Sequence, residues 1–323
     1  HGRTNMNFKQ VLRANPYLFA LLLLVVFVIM SAALQDNFFR LGVIGGNLRV
    51  FLPLMILAVG QTLVIIGGGI DLSLGTMVSL VNAILVTRIG ADSSPPEIFL
   101  AILVGCGAGM LAGAVNGFCV AWLRLQPIVT TYATSFVFAG LALLILPRPG
   151  GALPRELTSL YRSTPLNIPF PVFIIVALLF VWWLLRSSRF GQYLYALGGN
   201  PEAAYTTGLA VTRLRFSVYV LSGLFAALAA VALTLGIGSG NPRIGEAMTL
   251  DSVVATVIGG TRLSGGQGGV VGTVLGVTIL GLIRNIISFA NVPTWYQTLV
   301  NAVVIVLALA APGVVSLFRR RRV

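Results

Sequence analysis

Negative charge is scarce in this chain. Eight aspartates and glutamates stand against 21 lysines and arginines, and all four types together make up only 9% of 323 residues. Soluble domains carry roughly 25% charged residues, so an ordinary water-soluble fold is excluded. Histidine occurs once, as His1, so no histidine cluster can ligate a metal or relay a proton. Lysine also occurs once, as Lys9 after Phe8, so a phosphate-cradling loop ending in Gly-Lys-Ser or Gly-Lys-Thr cannot be assembled. The two cysteines, Cys106 and Cys119, lie thirteen residues apart in one apolar run and read as small packing residues. With no nucleotide loop, no metal cluster and no nucleophile–base pair, the chain is expected to be neither an enzyme nor the holder of a cofactor.

What is abundant is apolar sequence, 57% hydrophobic with a mean hydropathy of +0.96. An all-α integral membrane protein follows, because nearly 20 consecutive apolar residues cross a bilayer as a helix. Runs of that kind are Tyr17–Leu34, Leu48–Ile66, Leu72–Arg88, Ile98–Trp122, Ile128–Leu146, Phe170–Leu185, Phe216–Leu235, Val270–Ala290 and Trp295–Ala311. Leu250–Gly259 is shorter and reads as a crossing or a half-helix, so about ten crossings are expected, falling to eight if its counterpart near Asp71 is also partial. The net charge of +13 sits at the chain ends and between apolar runs, which fixes orientation in a bilayer and argues against nucleic-acid binding. Lys9 and Arg13 before the first run, and Arg319-Arg320-Arg321-Arg322 after the last, place both termini in the cytoplasm. Residues 1–16 read as a cytoplasmic tail, with His1–Thr4 an expression-vector remnant. Residues 17–312 read as one transmembrane domain and 313–323 as a basic cytoplasmic tail. The proline-rich stretch Pro147–Pro169 falls on the opposite side of the membrane.

Three features stand out within this frame. The first is Gly198–Arg215, the longest polar interval of the C-terminal half, inside a cytoplasmic loop spanning 187–215. Asn200 suits a helix cap, Pro201 the first helical position and Gly208 a left-handed stop. A helix of about two turns is marginal alone and needs something to dock on. The second is an internal echo: Ile66-Gly-Gly-Gly-Ile-Asp-Leu-Ser-Leu-Gly resembles Ile258-Gly-Gly-Thr-Arg-Leu-Ser-Gly-Gly-Gln. Two related halves account for it, as does chance among glycine-rich membrane segments. Gly68, Gly69, Gly259 and Gly260 would break the helices, and Asp71 with Ser73, and Asp251, would sit at helix starts. For Asp71 two readings stand: an N-cap accepting the free amides of a helix beginning at Leu72, or a proton or substrate site. The third is a set of uncharged polar residues inside apolar runs. Of these, Asn82, Asn116, Asn285 and Asn301 are candidate contacts for an uncharged, hydroxyl-rich substrate; bonding between helices is the other reading. Leu263–Gln267 spells LSGGQ, the signature of ATP-binding-cassette ATPases; without a phosphate loop it reads as a glycine-rich turn.

Glu202-Ala203-Ala204 followed by Gly208 resembles the docking loop of membrane permeases of ATP-binding-cassette importers. Gly60–Leu80, Leu194–Leu209 and Leu250–Gly276 are similar to the ribose-type sugar permeases of that class, and the likeness extends from Leu48 to Ala311. The resemblance implies a permease of the bacterial inner membrane that pairs with a second permease, identical or paralogous. It implies a cytoplasmic ATPase as partner, which binds the ATP and magnesium. The ATPase docks on a coupling helix comprising Asn200, Pro201, Glu202, Ala203, Ala204 and Gly208. A periplasmic sugar-binding protein then delivers a monosaccharide. A branched-chain amino-acid permease of the same class, and a proton-coupled carrier using Asp71, are the alternative expectations.

Overall fold

The computed structural model describes residues 17–290 together with 293, 296, 299, 300, 302, 303 and 306. The predicted last run, Trp295–Ala311, and Asn301 therefore lie outside the continuously described chain.

The helices follow the apolar runs closely. They are α1 (Tyr17–Leu34), α2 (Leu41–Ile66), α3 (Leu74–Arg88), α4 (Pro95–Ala121), α5 (Pro127–Ile145), α6 (Arg155–Arg162) and α7 (Phe170–Ser187). After these come α8 (Arg189–Gly199), α9 (Pro201–Thr206), α10 (Val211–Ile237), α11 (Glu246–Ile258) and α12 (Val270–Phe289). Seven of them are long and apolar enough to cross a membrane: α1, α2, α4, α5, α7, α10 and α12. No extended strand occurs among the described residues, only one bridge between Gly150 and Gly240.

Two helices at the expected apolar runs fall short of spanning length. α3 has 15 residues and α11 has 13, so at 1.5 Å per residue they reach about 23 Å and about 20 Å, less than a hydrocarbon core of about 30 Å. The run Leu72–Arg88, expected to be of spanning length, is thus a partial helix like its counterpart. The two meet at their N-terminal ends. Gly75 and Gly245 are packed backbone to backbone, the Gly75 N–H donates to Thr249 Oγ1 at 3.0 Å, and the Gly245 N–H donates to Ser79 Oγ at 2.9 Å.

α2 is the central helix; from Phe51 to Ile66 every residue is buried. α10 lies along both α2 and α4. Its approach to α4 depends on glycines spaced every fourth residue, Gly109, Gly113 and Gly117, which face Gly223, Tyr219 and Phe216 at backbone contact. Small residues at that spacing let membrane helices come close enough for van der Waals packing to hold them.

The stretch Pro147–Pro169 is not bare loop. It contains α6, and the Tyr161 hydroxyl donates to the Arg49 carbonyl of α2 at 2.9 Å. Burial pushes the Tyr161 phenol well above its ordinary range, with Arg49 partly opposing, so it stays a donor.

Candidate functional site

The two glycine-rich breaks share one geometry. α2 stops at Ile66, and the N–H groups of Gly68 and Gly69 return to the carbonyls of Ile65 and Val64, both at 2.9 Å. α11 stops at Ile258, and the N–H groups of Gly260 and Thr261 return to Val257 and Thr256, at 2.9 and 3.1 Å. Both are Schellman stops, in which the residue after the cap adopts a left-handed conformation that glycine tolerates. Gly68 and Gly260 are those residues, with φ of 83° and 88°. The sequence echo is therefore an echo in backbone hydrogen bonding.

Beyond the first break the chain turns into α3 around Asp71, which is fully buried. Its Oδ1 accepts the Ser73 N–H at 2.9 Å and the Ser73 hydroxyl at 2.6 Å, while Oδ2 has no hydrogen-bond partner. The helix begins at Leu74, two residues later than expected, because the carboxylate closes a turn over residues 71–73 before regular helix starts. Asn116 Nδ2 donates to Ser73 Oγ at 2.7 Å, and the Thr134 hydroxyl donates to Asn116 Oδ1 at 2.6 Å. Thr131 Oγ1 also accepts the Leu72 N–H at 2.9 Å. The break is thus tied to α4 and α5 by a buried polar chain.

Asp251 is placed differently from the expectation. α11 begins at Glu246, so Asp251 lies inside the helix, where it pairs with Arg284 of α12. The start moves upstream because Gly245 is held against Gly75 and Ser79.

The loop over residues 187–215 folds as two helices. Asn200 caps α9, its Oδ1 accepting the N–H groups of Glu202 and Ala203 at 3.1 and 3.0 Å. Gly208 ends it with φ of 80°. Only Ala204 is buried in α9, and the Tyr205 ring is 74% exposed. The preceding α8 runs into both breaks. Gly198 packs on the Ile66 carbonyl and on Gly266, whose N–H donates to Ile66 at 2.9 Å. The Tyr195 hydroxyl donates to the Gly268 carbonyl at 2.7 Å. Burial raises the Tyr195 phenol above its ordinary value, Arg186 opposing, which keeps the donor proton in place. Leu263–Gln267 is the turn between α11 and α12, as its glycines imply. Nothing in the sequence pointed to its contact with α8; the run of adjacent glycines at 198–199 and 265–266 is the only available signal.

The described candidate asparagines, Asn82, Asn116 and Asn285, are not gathered on one surface. Asn82 Nδ2 donates to Thr234 Oγ1 at 2.7 Å and Asn82 Oδ1 accepts the Asn241 N–H at 2.9 Å, holding α3 to α10 and to the loop before α11. Asn116 lies at the Asp71 turn, and Asn285 of α12 donates to Asn47 of α2 at 3.0 Å. A hydroxyl cluster missed as a unit joins α2, α11 and α12: Thr62 Oγ1 lies 2.7 Å from Thr273 Oγ1 and 3.4 Å from Thr256 Oγ1.

Among the described residues the chain is an all-helical bundle with seven helices of spanning length and two half-length helices meeting at their N-termini, and interrupted helices of that kind recur in transporters. A family profile described as the permease component of the branched-chain amino acid transport system matches residues 43–309. The chain belongs to this permease family. The ribose import permease protein RbsC of Escherichia coli K12 is 34% identical over 296 residues, covering 90% of this chain and 91% of the relative. RbsC of Bacillus subtilis is 36% identical over 290 residues, covering 88% and 89%. The D-allose transport system permease protein AlsC of Escherichia coli K12 is 31% identical over 265 residues, covering 81% and 80%. No solved structure matches the chain. The permease is a multi-pass protein of the bacterial inner membrane, and the family is one of transport subunits rather than enzymes.

Proposed function

We propose that this permease is the membrane subunit of an ATP-driven importer for a neutral monosaccharide, a pentose such as ribose or a related hexose. The observation that supports it most directly is the meeting of α8 with both helix breaks at Gly198, Ile66 and Gly266. A push on the docking loop would reach both breaks through the backbone contact of Gly198 with Ile66 and Gly266. The capped and exposed α9 is the coupling helix, comprising Asn200, Pro201, Glu202, Ala203, Ala204 and Gly208, and it faces the cytoplasm as both termini do. Its partner is an ATPase that holds the ATP and magnesium. Two permease subunits pair, and a periplasmic binding protein supplies the sugar. The fold has eight crossings in two related halves, the seven described spanning helices and the run Trp295–Ala311, with residues 17–312 forming one domain. Sugar passes between the halves near the breaks at Gly67–Gly75 and Gly259–Gly269, with Asn82, Asn116, Asn285 and Asn301 as polar contacts. The names of the relatives, ribose and allose permeases, support a sugar over the amino acid of the family description.

The test is reconstitution of the permease with a cognate ATPase and sugar-binding protein. Labelled ribose, allose and fructose should enter liposomes in an ATP-dependent way, and Ala203→Arg, on the exposed face of α9, should abolish uptake without loss of inserted permease. Uptake of leucine and of no sugar would overturn the sugar assignment, and an unaffected Ala203→Arg variant would overturn the docking assignment.

A further inference from the structure

Between α9 and the first break lies a cavity of about 570 Å³, within the roughly 300–1,000 Å³ of small-molecule pockets. We propose that this cavity is a second sugar site, on the cytoplasmic side, through which imported monosaccharide restrains its own uptake. The proposal rests on the importer reading and assigns to it a regulatory site.

The inner wall supplies the first reason. Tyr219 lines the cavity and is only 3% exposed, yet its hydroxyl has no hydrogen-bond partner. It lies against Gly69, another lining residue, where a Cβ would come within 2.8 Å of the hydroxyl oxygen. A buried hydroxyl is expensive to leave unpaired, and native structures almost always satisfy it with protein, water or ligand.

The second reason is the mixture of groups. Arg215 lies one turn before Tyr219 on the same face of α10, and Arg124 lines the cavity from the turn before α5. Neither arginine forms an ion pair. Glu202 and Tyr205 line it from α9. Guanidinium groups only donate, a carboxylate only accepts, and phenols do both. A neutral polyol, each hydroxyl a donor and an acceptor, matches that mixture. A cation would meet the two arginines, and an anion would meet Glu202.

The third reason is position. One wall is α9 and the opposite wall is Gly67–Gly69 with α10, so a bound sugar bridges the docking helix and the break it is meant to move. A ligand that fits the cavity as it stands favours this conformation over any in which those walls separate. Restraint of the cycle follows from that preference, and sugar accumulating inside supplies the ligand.

The experiment uses the reconstituted importer with ATP inside the liposomes and D-ribose, D-allose or D-fructose preloaded there. The initial rate of labelled sugar entry should fall several-fold as internal sugar rises. Tyr219→Phe and Arg215→Gln should each raise the internal concentration for half-inhibition by about tenfold, leaving entry into sugar-free liposomes unchanged. Direct binding of labelled sugar to purified permease, without ATPase or binding protein, should weaken in the same two variants. Uptake that is indifferent to internal sugar, or inhibition and binding equal in wild type and both variants, overturns the second site and leaves the importer reading intact. Failure of every sugar to enter, with wild-type protein correctly assembled, overturns the importer reading and this inference with it.

Discussion

The N–H of Gly266 donates to the carbonyl of Ile66 at 2.9 Å, joining the turn after α11 to the last residue of α2. Gly198 sits directly on this bond, and a Cβ at that position would overlap the Ile66 carbonyl and come within 2.6 Å of the Gly266 nitrogen. Its neighbour Gly199 has open space where a Cβ would go.

Gly198→Ala should therefore be severely damaging, although alanine is the better helix former by about 1 kcal/mol. Overpacking against backbone typically costs about 1–3 kcal/mol, and here neither neighbour is a side chain that could move aside. Gly199→Ala should be tolerated. Thermal unfolding in detergent and sugar uptake compare the two; equal behaviour would mean that the contact between α8 and the breaks is dispensable.

The apolar runs were legible because spanning helices announce themselves by length, and α1 ends at the expected residue, Leu34. The cap at Asn200 and the stop at Gly208 were legible because capping is local chemistry. What stayed hidden is set by distant partners. The start of α11 depends on Gly75 meeting Gly245, a contact between residues far apart in sequence. For the same reason Asp251, expected at a helix start, is found inside α11 with Arg284 as its partner. The glycine spacing at 109, 113 and 117 was present in the sequence, but which helix it receives is a property of the fold.

The Asp71 carboxylate is used through one oxygen. Oδ1 takes both protons offered by Ser73, and an asparagine carbonyl could take the same two. Asp71→Asn should keep stability within about 1 kcal/mol and keep substantial uptake, whereas Asp71→Ala, which leaves the Ser73 N–H unpaired in the interior, should lose about 1–3 kcal/mol. Uptake by Asp71→Asn should also persist when the proton gradient is collapsed and ATP is maintained. Loss of transport in a folded, ATPase-bound Asp71→Asn protein would restore a proton-handling role.

Asn200 holds two amides of a six-residue helix that has only Ala204 buried. So short a helix has little else to define its shape, and loss of a cap costs about 1 kcal/mol. Asn200→Ala should lower ATPase affinity, measured by co-purification at rising salt, and Asn200→Asp or Asn200→Ser should recover most of it. An Asn200→Ala permease that retains its ATPase as firmly as wild type would show that α9 needs no preformed cap.

Asn82 and Asn116 face the strictest test of the proposed sugar path. Both are fully buried, and each side chain both donates and accepts within the protein. In this conformation they hold helices together, so a sugar can meet them only after those bonds open. Cysteine at 82 or 116, in a background with the free Cys106 and Cys119 replaced, should resist a water-soluble thiol reagent in the resting permease. The partners left behind, Thr234 and the Asn241 N–H for Asn82, or Ser73 and Thr134 for Asn116, should make each variant about 1–3 kcal/mol less stable. Reactivity should appear when ATP and sugar-loaded binding protein drive the cycle, because a path between the two halves must expose residues that the resting state buries. Asn285, half-buried on α12 beside Asn47, should react already at rest and more slowly with sugar bound. If cysteines at 82, 116, 285 and 301 all stay unreactive in every state, these asparagines are interhelical ties alone and the path runs elsewhere.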